Sequence, residues 1–207
     1  MMKKTALLMA ILPTLAQGAT LADAMAAFAE GRSGDAAAMF HELAVAENPK
    51  AQFNLALLYF KGAGVPENHG RAFEWAWRAK LHGLVEAEAL LAQIGASLSQ
   101  EAQNALADKL KSELMPRAFE ADTRAMLAIA VIERELRPEA DFVEAYVWNS
   151  LAVALGRTEA VELRNASLAL IEDDERLSAQ EKATQKLDEL CAVLGAKLSV
   201  CSIFSNS

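Results

Sequence analysis

The segment from Ala51 to Ala87, AQFNLALLYFKGAGVPENHGRAFEWAWRAKLHGLVEA, constrains this chain more than any other stretch. It holds two helical patterns joined by a glycine turn, and part of it recurs 73 residues later. Laid over each other without gaps, Ala72 falls on Ala145, Phe73 on Tyr146, Trp75 on Trp148, Ala79 on Ala152, Gly83 on Gly156 and Ala87 on Ala160. Asn68 falls on Asp141, and both residue types cap helices well. A single helical hairpin cannot bury its apolar face, so copies of it must stack. The predicted fold is therefore all-α, an α–α superhelix of antiparallel helix pairs. In such arrays, surfaces rather than catalytic groups usually carry the function.

The rest of the chain reads the same way. It is rich in alanine and leucine, with ten glycines and five prolines in 207 residues, which favours helix over strand. Leu21, Ala24, Met25 and Phe28 fall on one helical face, and Ala36, Met39, Phe40, Leu43 and Ala44 on another. Asn48-Pro49 opens a third helix to about Lys61, and Asn68 a fourth that ends at Gly83. Helices follow over about Val85–Ile94 and after Ser99. Pro116 is read as the boundary between halves, with a helix from about Arg117 to Leu136 behind it. Asp141 with Glu144, and Ser178 with Glu181, have capping-box spacing for two later helices, which end at Gly156 and near Gly195. Roughly ten helices are expected.

The residues Leu55, Ala56, Tyr59, Gly62-Ala63-Gly64-Val65, Asn68, Ala72, Trp75, Ala79 and Gly83 resemble the Sel-one-like repeat, a relative of the tetratricopeptide repeat. Three positions depart from its pattern: Ala56 for glycine, Asn68 for aspartate and Lys80 for alanine. A second copy, from Met126 to Ala160, is degenerate, since Glu135-Leu136-Arg137-Pro138 replaces the glycine turn. The resemblance implies a right-handed solenoid that works as an adaptor and binds another protein or a peptide. It assigns structural roles to Leu55, Tyr59, Gly62, Gly64, Ala72, Trp75, Ala79, Gly83, Trp148 and Gly156.

The expected organisation is a signal peptide at residues 1–18, a first helical half at 19–115 with the well-matched repeat at about 51–87, a degenerate half at 116–198, and a tail at 199–207. Lys3 and Lys4 precede an apolar run from Ala6 to Leu15, and Ala16 and Gly18 are small residues before a cut near Ala19. The run is shorter than the roughly 20 residues a spanning helix needs. A periplasmic or secreted protein with no membrane span after cleavage is expected. Without Lys3 and Lys4, 18 basic residues remain against 28 acidic ones. That balance argues against nucleic acid and anionic membranes as partners. In an exported protein the even count predicts a disulfide between Cys191 and Cys201, the alternative being two reduced thiols.

Chemistry-bearing motifs are sparse. His41, His69 and His82 are scattered without metal-ligand spacing, so neither a metal nor a cofactor is expected. No G-x-S-x-G is present, and the glycines at 62 and 64 join helices instead of cradling a phosphate. The chain is read as a non-enzyme. The alternative is a cell-wall (peptidoglycan) enzyme or enzyme subunit that uses a helical groove, its acids placed beside the glycan. Trp77 lies about 200° around its helix from Trp75, so the two cannot face the same layer. Trp77 is either a partner anchor or core. The tentative partner-binding set is Gln52, Asn54, Arg71, Trp77, Arg78 and His82, positions outside the stacking pattern. Its cations would steer an acidic segment.

Overall fold

The computed structural model describes residues 18–203, and the signal-peptide segment lies almost wholly outside them. Ten α-helices follow one another: α1 Leu21–Ala29, α2 Ser33–Val45, α3 Pro49–Lys61, α4 His69–Leu81, α5 Ala87–Gly95, α6 Gln100–Phe119, α7 Thr123–Val131, α8 Phe142–Ala154, α9 Ala160–Ala169 and α10 Arg176–Leu194. No strand occurs among the described residues. Consecutive helices pack in pairs, and α10 returns onto α8. This is the predicted all-α array of stacked helix pairs.

Local chemistry sets most boundaries. The Thr20 hydroxyl accepts from the Asp23 N–H while Asp23 answers the Thr20 N–H, a full capping box at α1. Asn48, Asn68, Ser99, Asp122 and Asp141 each cap the helix that follows with a side-chain oxygen. At α8 only half of the expected box forms. Asp141 accepts from the Glu144 N–H at 2.8 Å, but the Glu144 carboxylate is turned to Trp148 and Lys111. The expected Ser178–Glu181 box is absent, because α10 begins two residues earlier, at Arg176, and Ser178 stands inside it.

Two boundaries differ from expectation. Pro116 does not separate the halves; it lies inside α6, near the C-terminal end of that helix. Leu110 and Ala118, on either side of it, are buried in successive cores, and that packing carries the helix across the proline. The break comes at Ala121, whose φ of 67° turns the chain before Asp122 caps α7. The expected helix to Leu136 is α only as far as Val131 and continues as a π turn over Ile132–Leu136. In the first copy the Asn68 N–H donates to the Tyr59 carbonyl. The equivalent Asp141 N–H donates to Glu133, one residue beyond the position aligned with Tyr59. A π turn holds one more residue than an α turn of the same height, so the shift is what that turn produces.

Three apolar clusters run through the stack. The first joins α1, α2 and α3 around Phe40 and Leu55. The second joins α4, α5 and α6 around Trp77 and Ile94, and the third joins α7 to α10 around Trp148 and Met126. Tyr59 and Trp75 touch both of the first two, and Leu114 touches the last two. At the far end Cys191 of α10 is bonded to Cys201, with Cα atoms 5.3 Å apart. The segment read as a tail is thus ordered over Ser199–Ile203 as a short 3₁₀ turn folded back on α10.

Candidate interaction surface

The six residues singled out for partner binding do not form one surface. Gln52 is buried, 1% exposed, with its amide Nε2 donating to the Ala44 carbonyl at 3.1 Å. Trp77 is 4% exposed and packs edge-on to Phe73, so it is core and not an accessible anchor. The reason is rotational. The face of α4 opposite Trp75 meets α5 and α6, and a large ring there fills the layer beneath. Asn54 bonds back to the Lys50 carbonyl within its own helix. Arg71 is exposed, stacks over Tyr59 at 5.6 Å and donates to its hydroxyl.

Of Tyr59, Trp75 and Trp148, the three rings with structural roles in the repeat pattern, only Trp148 is buried, at 1% exposure, with Phe119 at its edge and Lys186 over it. Tyr59 and Trp75 are half-buried. Arg78 lies over the Trp75 ring at 5.5 Å, and His41 meets its edge. A long cationic side chain shields such a ring less completely than the packed layer beneath Trp148 does.

Arg78 and His82 do line a shared feature. A cleft of about 690 Å³ opens between the α4–α5 turn, α6 and α7. Leu81, Leu84, Leu110, Leu114, Leu127 and Val131 give it an apolar lining, and Val85, 71% exposed, stands at its rim. Ion pairs stitch its walls together. Arg78 pairs with Glu74 at 2.9 Å and with Glu113 of α6 at 2.7 Å, and Lys109 shares Glu74. Burial pushes the Glu74 carboxyl up, but hydrogen bonds from Lys109 and Arg78 outweigh it and hold the group below the usual carboxylate range. Lys80 pairs with Glu135 at 2.6 Å and, more loosely, with Glu88. Arg117 joins Glu47 at 3.2 Å to Asp122 at 2.7 Å.

His82 sits at one end of the cleft. Because Gln52 spends its amide hydrogen on Ala44, its Oε1 faces His82 Nδ1 at 2.9 Å, which assigns the ring proton to Nδ1. Nε2 then faces the Glu47 carboxylate at 3.8 Å. Burial lowers the His82 pKa from 6.5; Glu47 opposes this, while Arg117 and Arg78 add to it.

A smaller hollow of about 450 Å³ lies behind the Lys80–Glu88–Glu135 group, lined by Phe73, Trp77 and Leu91. Beyond it the π turn buries Glu133, 1% exposed, between Lys111 at 2.8 Å and Arg137. Lys111 also reaches Glu144, whose carboxylate accepts from the Trp148 indole. This network replaces the glycine turn of the first copy. Only the unusual Glu133-Arg134-Glu135-Leu136-Arg137 sequence hinted at it, and it was legible merely as a lost motif. Among the described residues, no three His, Cys, Asp or Glu side chains are grouped as metal ligands, and no helix is long and apolar enough to cross a membrane.

Comparison with known proteins agrees with the hairpin. Residues 49–83, which are α3 and α4 with their glycine turn, match the Sel1 repeat family, so the chain carries a Sel1 repeat there. No curated protein sequence matches. A similar solved structure is a protective antigen present in uropathogenic Escherichia coli strains, described as displaying an SLR fold. Identity is 20% and the TM-score 0.36, over 83% of this chain and 48% of the other, so this chain spans about half that protein's length.

Proposed function

We propose, from the Sel1 repeat formed by residues 49–83, that this chain is an exported adaptor that holds another protein or a peptide in the bacterial cell envelope. Sel1 repeats generally mediate protein–protein interaction. The observation that carries the reading is the cleft between the α4–α5 turn, α6 and α7. It joins the repeat to the second half of the stack, offers an apolar floor, and has charged walls whose ion pairs hold its shape. Apart from Arg124, its charged groups are arranged as mutual pairs rather than as an acid and a base facing open space, which suits recognition more than catalysis. Export is read from Lys3, Lys4 and the apolar run behind them.

The test is capture in cells. A photo-crosslinking side chain placed at Val85, on the cleft rim, should yield a discrete adduct in the periplasmic or secreted fraction. The same probe at exposed Glu162, on α9, should not. An adduct pattern identical at both positions would overturn the cleft as the interaction site. Turnover of purified peptidoglycan by the isolated protein would favour the wall-enzyme reading instead.

A further inference from the structure

The charges that line the cleft are nearly all answered within the fold. At one end Lys80 stands between Glu88 and Glu135, and Glu135 is also held by Arg134. At the other end Arg78 meets Glu74 and Glu113, and Arg117 meets Glu47 and Asp122, with Arg124 beside them. The apolar floor of Leu110, Leu114 and Leu127 lies between these ends.

The cations of the cleft are not equivalent. Arg78, Lys80 and Arg117 each hold a carboxylate. Arg124 is exposed, lines the cleft, and has no side-chain ion pair or hydrogen bond among the described residues. It stands in the first turn of α7, where the helix dipole disfavours a cation. Its position therefore does nothing for its own helix, yet it places a guanidinium beside an apolar floor.

We propose that the cleft receives an extended segment of a partner protein in which a bulky apolar side chain is followed by a carboxylate. The apolar group seats on Leu110, Leu114 and Leu127, and the carboxylate meets Arg124. The inference rests on the interaction reading above and adds to it the chemistry of the partner. A polyanion such as nucleic acid fits poorly, because four glutamates line the same walls. An apolar surface without charge leaves Arg124 unanswered.

His82 gives the proposal a second readout. The groups that face it are Gln52 of α3, Glu47 of the α2–α3 turn, Arg78 of α4 and Arg117 of α6. When His82 gains a proton, Nε2 becomes a donor to Glu47 and competes with Arg117 for that carboxylate. That end of the cleft then holds one more positive charge, and a partner carboxylate is attracted more strongly.

The experiment is fluorescence anisotropy with the full chain and three labelled peptides: Ser-Gly-Leu-Phe-Leu-Asp-Glu, its charge-reversed form ending Lys-Lys, and a form with serine at the three apolar positions. The first should bind at least about tenfold more tightly than either of the others. Arg124→Glu and Val85→Asp, both at exposed positions, should each weaken it about tenfold while the melting curve is kept. Its binding should tighten from about pH 7.5 to about pH 5.5, and His82→Gln should remove that change. Equal binding of the charge-reversed peptide, lost with Val85→Asp, would overturn the partner chemistry and leave the cleft as the site. Binding unaffected by either substitution, or absent for all three peptides, would overturn the proposal. The Val85 crosslink remains a separate test of the interaction reading.

Discussion

Gly64→Ala should be far more damaging than Gly83→Ala, although both glycines have positive φ, 75° and 88°. A methyl group at Gly83 meets nothing within 4 Å, so alanine there costs only the left-handed backbone, about 1 kcal/mol. At Gly64 the added Cβ would lie 2.1 Å from the Ser33 carbonyl oxygen, 2.3 Å from its carbon and 2.8 Å from the Gly34 nitrogen. These are backbone atoms at the start of α2, and no rotamer change relieves the clash. Either α2 moves by about an ångström, with Ala36, Ala37 and Phe40 attached, or the glycine turn opens. Overpacking of that kind costs a further 2 kcal/mol or so, giving about 3 kcal/mol in all. For a chain of this size that lowers Tm by about 6–12 °C, against about 2–4 °C for Gly83→Ala. Thermal melts of the two variants, followed by circular dichroism, test the difference. Hydrogen exchange should show the loss of protection concentrated in α1 and α2. Equal Tm shifts for both variants would refute the claim that the turn is held by close contact with α2.

Other substitutions follow from burial and charge. Trp77→Ala should cost about 3–5 kcal/mol and Trp75→Ala clearly less, measured by urea unfolding, since the first ring is core and the second half-buried. Glu133→Ala should cost about 3 kcal/mol, at the low end for breaking a buried pair, because Lys111 keeps Glu144 and Arg137 keeps Asp108. The pH dependence of stability has one sign on the acid side. His82 has a folded pKa below 6.5, so the unfolded chain binds the proton first, and stability falls as pH drops from 6.5 towards the folded value. Glu74, Asp122 and Glu135 have depressed values and add a further loss as pH falls below their ordinary 4.5, 3.8 and 4.5. Urea midpoints at about pH 5.5 and 7 should differ less in His82→Gln than in the parent. Reductant should destabilise by up to about 2–3 kcal/mol, seen as a lower Tm, by releasing the turn that Cys201 ties to α10.

What the sequence revealed and what it hid have physical causes. Capping residues act locally, so Asn48, Asn68 and Asp141 announce their helices without reference to the rest of the chain. The glycine turn is legible for the same reason, because positive φ restricts residue type directly. Burial is not local. Gln52 looks polar in sequence but is core, because Ala44 and His82 happen to satisfy its amide. Trp75 and Trp77 are chemically identical, and only the placement of α5 and α6 decides which one is covered. Pro116 stays within a helix because packing on both sides outweighs its local cost. The cleft was invisible as a unit, since its walls come from segments far apart in the chain. Only Arg78 and His82 among the six chosen residues reach it.

The π turn of the second copy can also be seen as a reading-frame device. Both copies have nine positions from the aligned pair to the cap, Tyr59 to Asn68 and Ile132 to Asp141, yet the cap N–H meets Tyr59 in one and Glu133 in the other. The slip and the buried carboxylate therefore meet in a single residue. The Glu133 carbonyl takes the Asp141 N–H, while its side chain holds Lys111 and Arg137. A substitution there removes the internal ion pair and leaves the slipped bond in place, because that bond belongs to the backbone.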